Sequence, residues 1–204
     1  MTRRAFISYG GWEEHEPRAC AEWVAELLQR EGFVVELEDT LAPLPENLSL
    51  VVPVWSLADA PDEELDALVG AVAGGVGCAA FHGAAATFHR HNAYRRLLGG
   101  TFVWHPDEHE FEVQLEAGDS FRVTTEQYYM QVDPANNVVA HTTFPDGTVM
   151  PVAWRRREGN GRVFYSALGH APDVLALEPV RALFLEGALW AASASRSAAS
   201  RASS

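Results

Sequence analysis

Four histidines stand just past short apolar runs: His15 after Ala5–Tyr9 and Gly10-Gly11, His82 after Gly77–Phe81, His105 after Thr101–Trp104, and His170 after Arg162–Leu168. If those runs are parallel strands of one sheet, the residues that follow them gather at one rim, where open α/β sheets bind ligands. Two chemistries suit such a gathering. Neutral imidazoles joined by a carboxylate can hold zinc or another divalent cation. Alternatively, one histidine near its ordinary pKa serves as general acid or base while the others bind hydroxyls. His15, His82, His105 and His170 are therefore the candidate ligands, with Glu126 and Asp107 as carboxylates that could join them. His82 and Glu126 are the candidate catalytic pair. His82 is the best placed, since it follows a strand of small residues and precedes Gly83, a residue suited to a sharp turn. The spacing is not a local ligand motif such as H-E-x-x-H, so convergence depends on the fold. Trp12, Trp55 and Trp104 lie beside the same rim and offer apolar faces on which a sugar ring could stack. His89, His91, His109 and His141 read as surface residues.

The composition removes several function classes. All fifteen basic residues are Arg, so chemistry that needs a lysine (a Schiff base, pyridoxal phosphate attachment, a P-loop) is excluded. A net charge of −13 over 204 residues argues against contact with a nucleic-acid backbone. Two cysteines are too few for a disulfide framework or a four-cysteine zinc site. Cys78 falls inside a strand and Cys20 on the apolar stripe of a helix, so both should be buried and inert. No serine lies in a G-x-S-x-G context. Gly74-Gly75-Val76-Gly77 and Gly159-Asn160-Gly161 do not open helices after strands and read as turns. Arg155-Arg156-Arg157 reads as a solvated face of a hairpin.

The elements that must position the histidines follow from periodicity. Ala5–Tyr9, Phe33–Leu37, Leu48–Val54 and Gly77–Phe81 read as buried strands. Between them, Pro17–Arg30 carries Cys20, Trp23, Val24, Leu27 and Leu28 at helical spacing. A second helix opens at Pro61 with Asp62, Glu63 and Glu64 in its first turn, and ends at Gly74-Gly75. Gly77–Phe81, built of small side chains, suits the centre of a parallel sheet. From Thr101 to Arg162 the runs are short and alternating, as in antiparallel or mixed strands at one edge, with a hairpin over Val152–Tyr165. Pro179–Ala191 reads as a closing helix. The expected class is thus α/β, a doubly wound and mostly parallel sheet with an antiparallel or mixed edge. Residues 1–192 read as a single domain, and the Ser/Ala/Arg-rich 193–204 as a disordered tail. No run suits a signal peptide or a membrane span, so the expected location is cytoplasmic.

Several stretches carry a resemblance. Pro151-Val152-Ala153-Trp154, then Gly159–Tyr165 and Leu168-Gly169-His170, resemble the C-terminal signature of the ThuA-like (trehalose utilisation) family. Phe81-His82-Gly83-Ala84, Leu97–Phe102 leading to His105-Pro106, and Glu126-Gln127-Tyr128-Tyr129 are similar to further segments of it. The resemblance runs over about Ala5 to Ala191. It implies a flavodoxin-like sheet of the class I glutamine amidotransferase type and a role in disaccharide and keto-sugar catabolism. It implies a site formed by His15, His82, His105, Glu126 and His170, with Tyr128 beside it as a substrate contact. Two departures stand out. Phe81-His82-Gly83 occupies the place of the amidotransferase Cys-His-Gly, which removes thiol chemistry. The stretch Gly118–Phe121 is shorter than the acidic, proline-bearing segment usual in the family. The expected partner is a small sugar-like molecule, with no nucleic acid and no membrane; self-association into a homo-oligomer stays open. The competing reading is a non-catalytic ligand-binding or interaction module that lacks the nucleophile.

Overall fold

The structure is a computed structural model and describes residues 2–193. In its first part, β1 (Arg3–Gly11), α1 (Pro17–Arg30), β2 (Phe33–Glu38), β3 (Leu50–Ser56), α2 (Asp62–Gly74) and β4 (Gly77–Phe81) alternate. Then α3 (Asn92–Leu98) leads into β5 (Gly100–Trp104). A run of strands follows: β6 (His109–Leu115), β7 (Ser120–Thr125), β8 (Tyr129–Val132), β9 (Asn137–Thr143), β10 (Val149–Glu158) and β11 (Gly161–Ser166). Two helices, α4 (Pro172–Ala176) and α5 (Glu178–Ala192), close the described chain.

One nine-stranded sheet runs in the order β2-β1-β3-β4-β11-β10-β9-β6-β7. From β2 to β11 every neighbour is parallel, and from β11 to β7 every neighbour is antiparallel. The expected mixed edge is therefore part of the same sheet, joined through the β10–β11 hairpin that turns at Glu158–Gly161.

Alternation along the strands divides the core into two layers. Ile7, Val52, Ala79 and Phe164 face α1 and α5, where they meet Val24, Leu28, Phe184 and Ala188. Phe6, Val51, Cys78, Ala80 and Tyr165 face the other side, against Leu65, Leu68, Tyr94 and Leu97. Successive residues of one strand enter opposite layers because the side-chain period is two. Gly77–Phe81 is buried at all five positions. Small residues are needed there because α5 packs hard against β4, and a Cβ on Gly77 would lie 2.4 Å from the Ala191 carbonyl oxygen.

Three features depart from the sequence expectation: the pairing of β5, the place of His91 and the short helices. β5 does not join the main sheet; it pairs antiparallel with β8, a strand that periodicity does not reveal, in a separate two-stranded sheet. His105 therefore reaches the rim from outside the parallel array. His91 is not a surface residue: its Nδ1 caps α3 by accepting the Tyr94 N–H at 3.1 Å, and its Nε2 meets Asp66 at 3.1 Å. The short helices α3 and α4 carry too few turns for periodicity to expose. The expected disordered tail falls, apart from Ser193, outside the described residues.

Two glycines within helices should respond oppositely to alanine. Gly70 is an exposed position of α2 with nothing within 4 Å of its missing Cβ. Gly70→Ala should raise stability by about 0.5–1 kcal/mol through helix propensity. Gly187 in α5 would place a Cβ 2.3 Å from the Phe164 ring. Gly187→Ala should cost about 1–3 kcal/mol by overpacking. Urea unfolding of both variants checks the pair, and a stabilised Gly187→Ala would contradict this packing of α5 on the sheet.

Candidate functional site

Three of the four rim histidines converge, and the fourth member of the cluster is a carboxylate. His15, His82, His170 and Glu126 each offer a donor atom, and these atoms all lie within 4.8 Å of one another. His82 Nε2 is 3.2 Å from His170 Nδ1 and 3.3 Å from Glu126 Oε2, and His170 Nδ1 is 3.4 Å from that same oxygen. His82 is 2% exposed and Glu126 8%, so the charge at the centre is largely out of water.

Two of the three rings are oriented from behind. His15, at the end of a 3-10 turn that follows β1, sets its Nδ1 at 2.7 Å from Ser56 Oγ. His82 sets its Nδ1 at 3.1 Å from the Ala167 carbonyl. A carbonyl only accepts, so that nitrogen carries the proton, and the lone pair of the neutral ring lies on Nε2, facing the cluster. His170 Nε2 faces the Glu108 carboxylate at 3.9 Å, beyond hydrogen-bond reach. Tyr128 places its hydroxyl 2.9 Å from His82 Nε2 and donates to it.

The backbone is bent to make this possible. His82 follows β4 with φ of 42°, and Glu16 and Leu57, just past β1 and β3, have φ of 44° and 49°. Left-handed conformations in non-glycine residues are costly and cluster at functional sites. His82 thus occupies the strained strand-to-helix turn that presents the nucleophile in elbow-type enzymes. Tyr165 holds the turn by donating to the His82 carbonyl at 2.8 Å, and Tyr94 donates to the Ala84 carbonyl at 3.2 Å. Gly83 must lack a side chain, since a Cβ there would sit 2.6 Å from Ser56 Cβ and 3.2 Å from His15 Nδ1. Phe81 is not the turn residue: it ends β4 and its ring packs on Phe184, 5.4 Å between centroids.

Glu126 and Tyr128 lie in the loop between β7 and β8. Gln127 anchors that loop inward, donating to Thr142 Oγ1 at 2.9 Å and meeting His109 Nε2 at 3.0 Å. His109 is thus half-buried rather than a free surface residue.

The cluster shifts its own protonation. Burial, reinforced by the nearby His82 and His170, lowers His15 to about 4. Burial also lowers His82, against the pull of Glu126. The contact with Glu126 raises His170 despite partial burial. Burial acts to raise Glu126, but His170 and His82 outweigh it and hold the carboxyl well below its usual range. The cluster thus favours charge on Glu126 and His170 and neutrality on His15 and His82. Burial pushes the Tyr128 phenol up, so it stays a donor.

The remaining candidates divide. His105 Nε2 meets the other oxygen of Glu126, Oε1, at 3.3 Å, and lies outside the four-donor cluster. Asp107 contributes only its carbonyl, to His109 Nδ1. Trp12 is 41% exposed with its ring 4.7 Å from that of His15, centroid to centroid, at the lip of the site. Trp55 is a packed wall: its Nε1 donates to Ser8 Oγ at 3.1 Å and its ring covers Gly10. Trp104 stacks on Tyr129 at 5.6 Å and packs on Phe144, and makes no ring contact with the cluster. A narrow cleft lined by His15, Trp55, Ser56, Phe81, His82 and His170 adjoins the cluster. Both cysteines are buried, and burial pushes each thiol up to about 12. Ser56 and Tyr165 were not singled out from sequence. Ser56 ends a strand at the same rim and could have been; Tyr165 acts through a backbone carbonyl and leaves no signal.

A family model described as Trehalose utilisation matches residues 4–191. Among solved structures, a ThuA-like protein from Parabacteroides merdae aligns with TM-score 0.80 at 16% identity, over 94% of this chain and 90% of that one. A second, from Bacteroides uniformis, aligns at 0.73 and 19% identity, over 94% and 91%. A β-galactosidase from Bacillus circulans sp. alkalophilus aligns at 0.65 and 13% identity, over 94% of this chain but 30% of its own. These likenesses show the fold alone. No curated protein matches the sequence.

The lowered His15 makes stability pH-dependent. The unfolded ring takes a proton near pH 6.5 and the folded one only near 4. Between those values the unfolded state binds more protons, so stability falls as pH falls, by about 3 kcal/mol at pH 4. Urea titrations in chelator at pH 7 and pH 4.5 should show this loss, and His15→Gln should remove the His15 share of it, leaving that of His82. An unchanged pH slope in the variant would contradict a buried neutral His15.

Proposed function

Because the chain belongs to the trehalose utilisation (ThuA) family, we propose that it acts on a sugar or keto-sugar at the His15–His82–Glu126–His170 cluster, with a divalent cation such as zinc held by those four residues. The observation that carries this reading is the triangle of His82 Nε2, His170 Nδ1 and Glu126 Oε2, with edges of 3.2, 3.3 and 3.4 Å. Ligands about 2.1 Å from a tetrahedral ion stand about 3.4 Å apart, so these donors already form one face of such a site. The outer nitrogens of His15 and His82 are tied to Ser56 and the Ala167 carbonyl, the backing that metal-bound imidazoles receive. The donor set of nitrogens and one carboxylate suits zinc and its first-row neighbours.

A bound divalent ion lends Lewis-acid polarisation to a sugar hydroxyl or carbonyl oxygen. The chain supplies the rest. With His82 Nε2 engaged, the Tyr128 hydroxyl loses its acceptor and offers its proton to a substrate oxygen. Trp12 provides the exposed aromatic wall. His82 at the elbow favours this chemistry over nucleophilic attack. The strand order of the parallel part, β2-β1-β3-β4-β11, supports a flavodoxin-like reading. A cytoplasmic location remains part of the proposal; no helix among the described residues is long and apolar enough to cross a membrane. The absence of an accessible thiol among the described residues favours the second reading, a ligand-binding module without catalysis.

Elemental analysis of purified protein should find about one divalent ion per chain. His82→Ala should weaken zinc binding by more than the ~10–100-fold typical of losing an outer partner, with an unchanged circular dichroism spectrum. Trehalose, glucose or their keto forms, at tenfold their dissociation constant, should stabilise the loaded protein by about 1.4 kcal/mol in thermal unfolding. Sugar stabilisation without turnover selects the module. A metal-free protein that ignores all of these sugars removes the proposal.

A further inference from the structure

The segment that carries Glu126 and Tyr128 has no backbone ladder of its own. Glu126, Gln127 and Tyr128 lie between β7 and β8, and none of the three makes a backbone–backbone hydrogen bond among the described residues. We infer that Gln127 is a positioning residue: its side-chain amide pins this segment to the antiparallel strands, so that Glu126 and Tyr128 on either side of it meet at His82. The inference rests on the metal-holding reading only for what that meeting serves.

The three side chains part company. Glu126 Oε2 lies 3.3 Å from His82 Nε2, and the Tyr128 hydroxyl 2.9 Å from that same nitrogen. Gln127 goes to other partners. Its Nε2 is 2.9 Å from Thr142 Oγ1 in β9, and its Oε1 is 3.0 Å from His109 Nε2 in β6. Gln127 and Thr142 are each 1% exposed, so water does not compete for the bond between them.

The direction of that bond is settled by its surroundings. The Thr142 hydroxyl has one hydrogen, and it goes to the Glu112 carbonyl of β6 at 2.8 Å. The oxygen is left to accept, so the amide nitrogen of Gln127 must face it as the donor. An amide buried without this partner would bear the cost of its desolvation unrelieved. Gln127 is therefore held on a frame of two strands, and its neighbours take their places from it. Tyr128 has a second hold, its ring lying 4.5 Å from that of Phe102. Among the described residues Glu126 pairs only with imidazoles, so the pin bears most on where its carboxylate stands. A binding constellation is degraded when its supporting contacts leave it about 1 Å too loose.

The test uses zinc(II) alone with Gln127→Met, Thr142→Val, Thr142→Ser and the double variant Gln127→Met/Thr142→Val. Methionine and valine keep the approximate shapes and delete the bond from either end, whereas serine keeps the hydroxyl. Gln127→Met and Thr142→Val should each weaken zinc binding about tenfold, the low end of what losing an outer partner costs. The double variant should lose no more than either single one, since both delete the same bond. Thr142→Ser should stay within about twofold of wild type. The Thr142 hydroxyl bonds only Gln127 and the Glu112 carbonyl among the described residues, so a loss on its removal travels through Gln127. Where wild type binds zinc, unchanged affinity in Gln127→Met overturns the inference. So does a loss in Thr142→Ser equal to that in Thr142→Val, because packing and not the hydroxyl would then hold the segment. If Gln127→Met does not fold, the two Thr142 variants decide. A wild type that binds no zinc removes the metal reading alone. The inference is then decided in metal-free protein by nitrogen-15 NMR of the His82 ring. An Nε2 signal that shifts in Thr142→Val but not in Thr142→Ser supports it, and one that stays in both overturns it.

Discussion

A carboxylate held out of water among imidazoles is the constraint on which the rest of the structure turns. An unpaired buried carboxylate would cost several kcal/mol. Glu126 is tolerated because imidazoles surround it: His170 Nδ1 lies 3.4 Å and His82 Nε2 3.3 Å from Oε2, and His105 Nε2 lies 3.3 Å from Oε1. Each answering ring must in turn face inward. The Ala167 carbonyl fixes His82, Ser56 fixes His15 and the Pro106 carbonyl fixes His105. The chain of requirements ends in the backbone, which is where the fold enters the chemistry.

The two parts of the sheet contribute different chemistry. The ends of β1, β4 and β11 bring His15, His82 and His170, the imidazoles. The antiparallel stretch brings the charge, through Glu126 between β7 and β8, and His105 comes from the end of the separate β5–β8 ribbon. The candidate centre lies at the seam where a loop of the second part covers the rim of the first.

The turn at His82 shows how a sheet of this kind can exchange one chemistry for another. A left-handed residue after the central strand projects its side chain over the rim. With a thiol or hydroxyl there, the turn presents a nucleophile. Here it presents an imidazole, and the tyrosine hydroxyls of Tyr165 and Tyr94 hold the strained backbone from beneath. Phe81, the residue that the linear comparison sets against a catalytic cysteine, belongs to the core instead.

Much of this was legible in the residues alone. The helix Pro17–Arg30 and the strand Gly77–Phe81 were readable to the residue, because apolar spacing and small-residue runs are local properties of the chain. The rule that ligands gather past strand ends picked out His15, His82 and His170 without any coordinates. Four things were decided only in three dimensions. β5 left the main sheet for β8, since pairing partners are chosen by contacts far apart in sequence. Trp104 turned to Tyr129 rather than to the site. His91 became a buried cap. His105 took the outer oxygen of Glu126 instead of a place among the three rings. Periodicity states which face of an element is buried. It does not state which atom of a side chain points where, because that is set by hydrogen-bond partners such as Ser56 and the Ala167 carbonyl, which the sequence separates by tens of residues from the rings they orient.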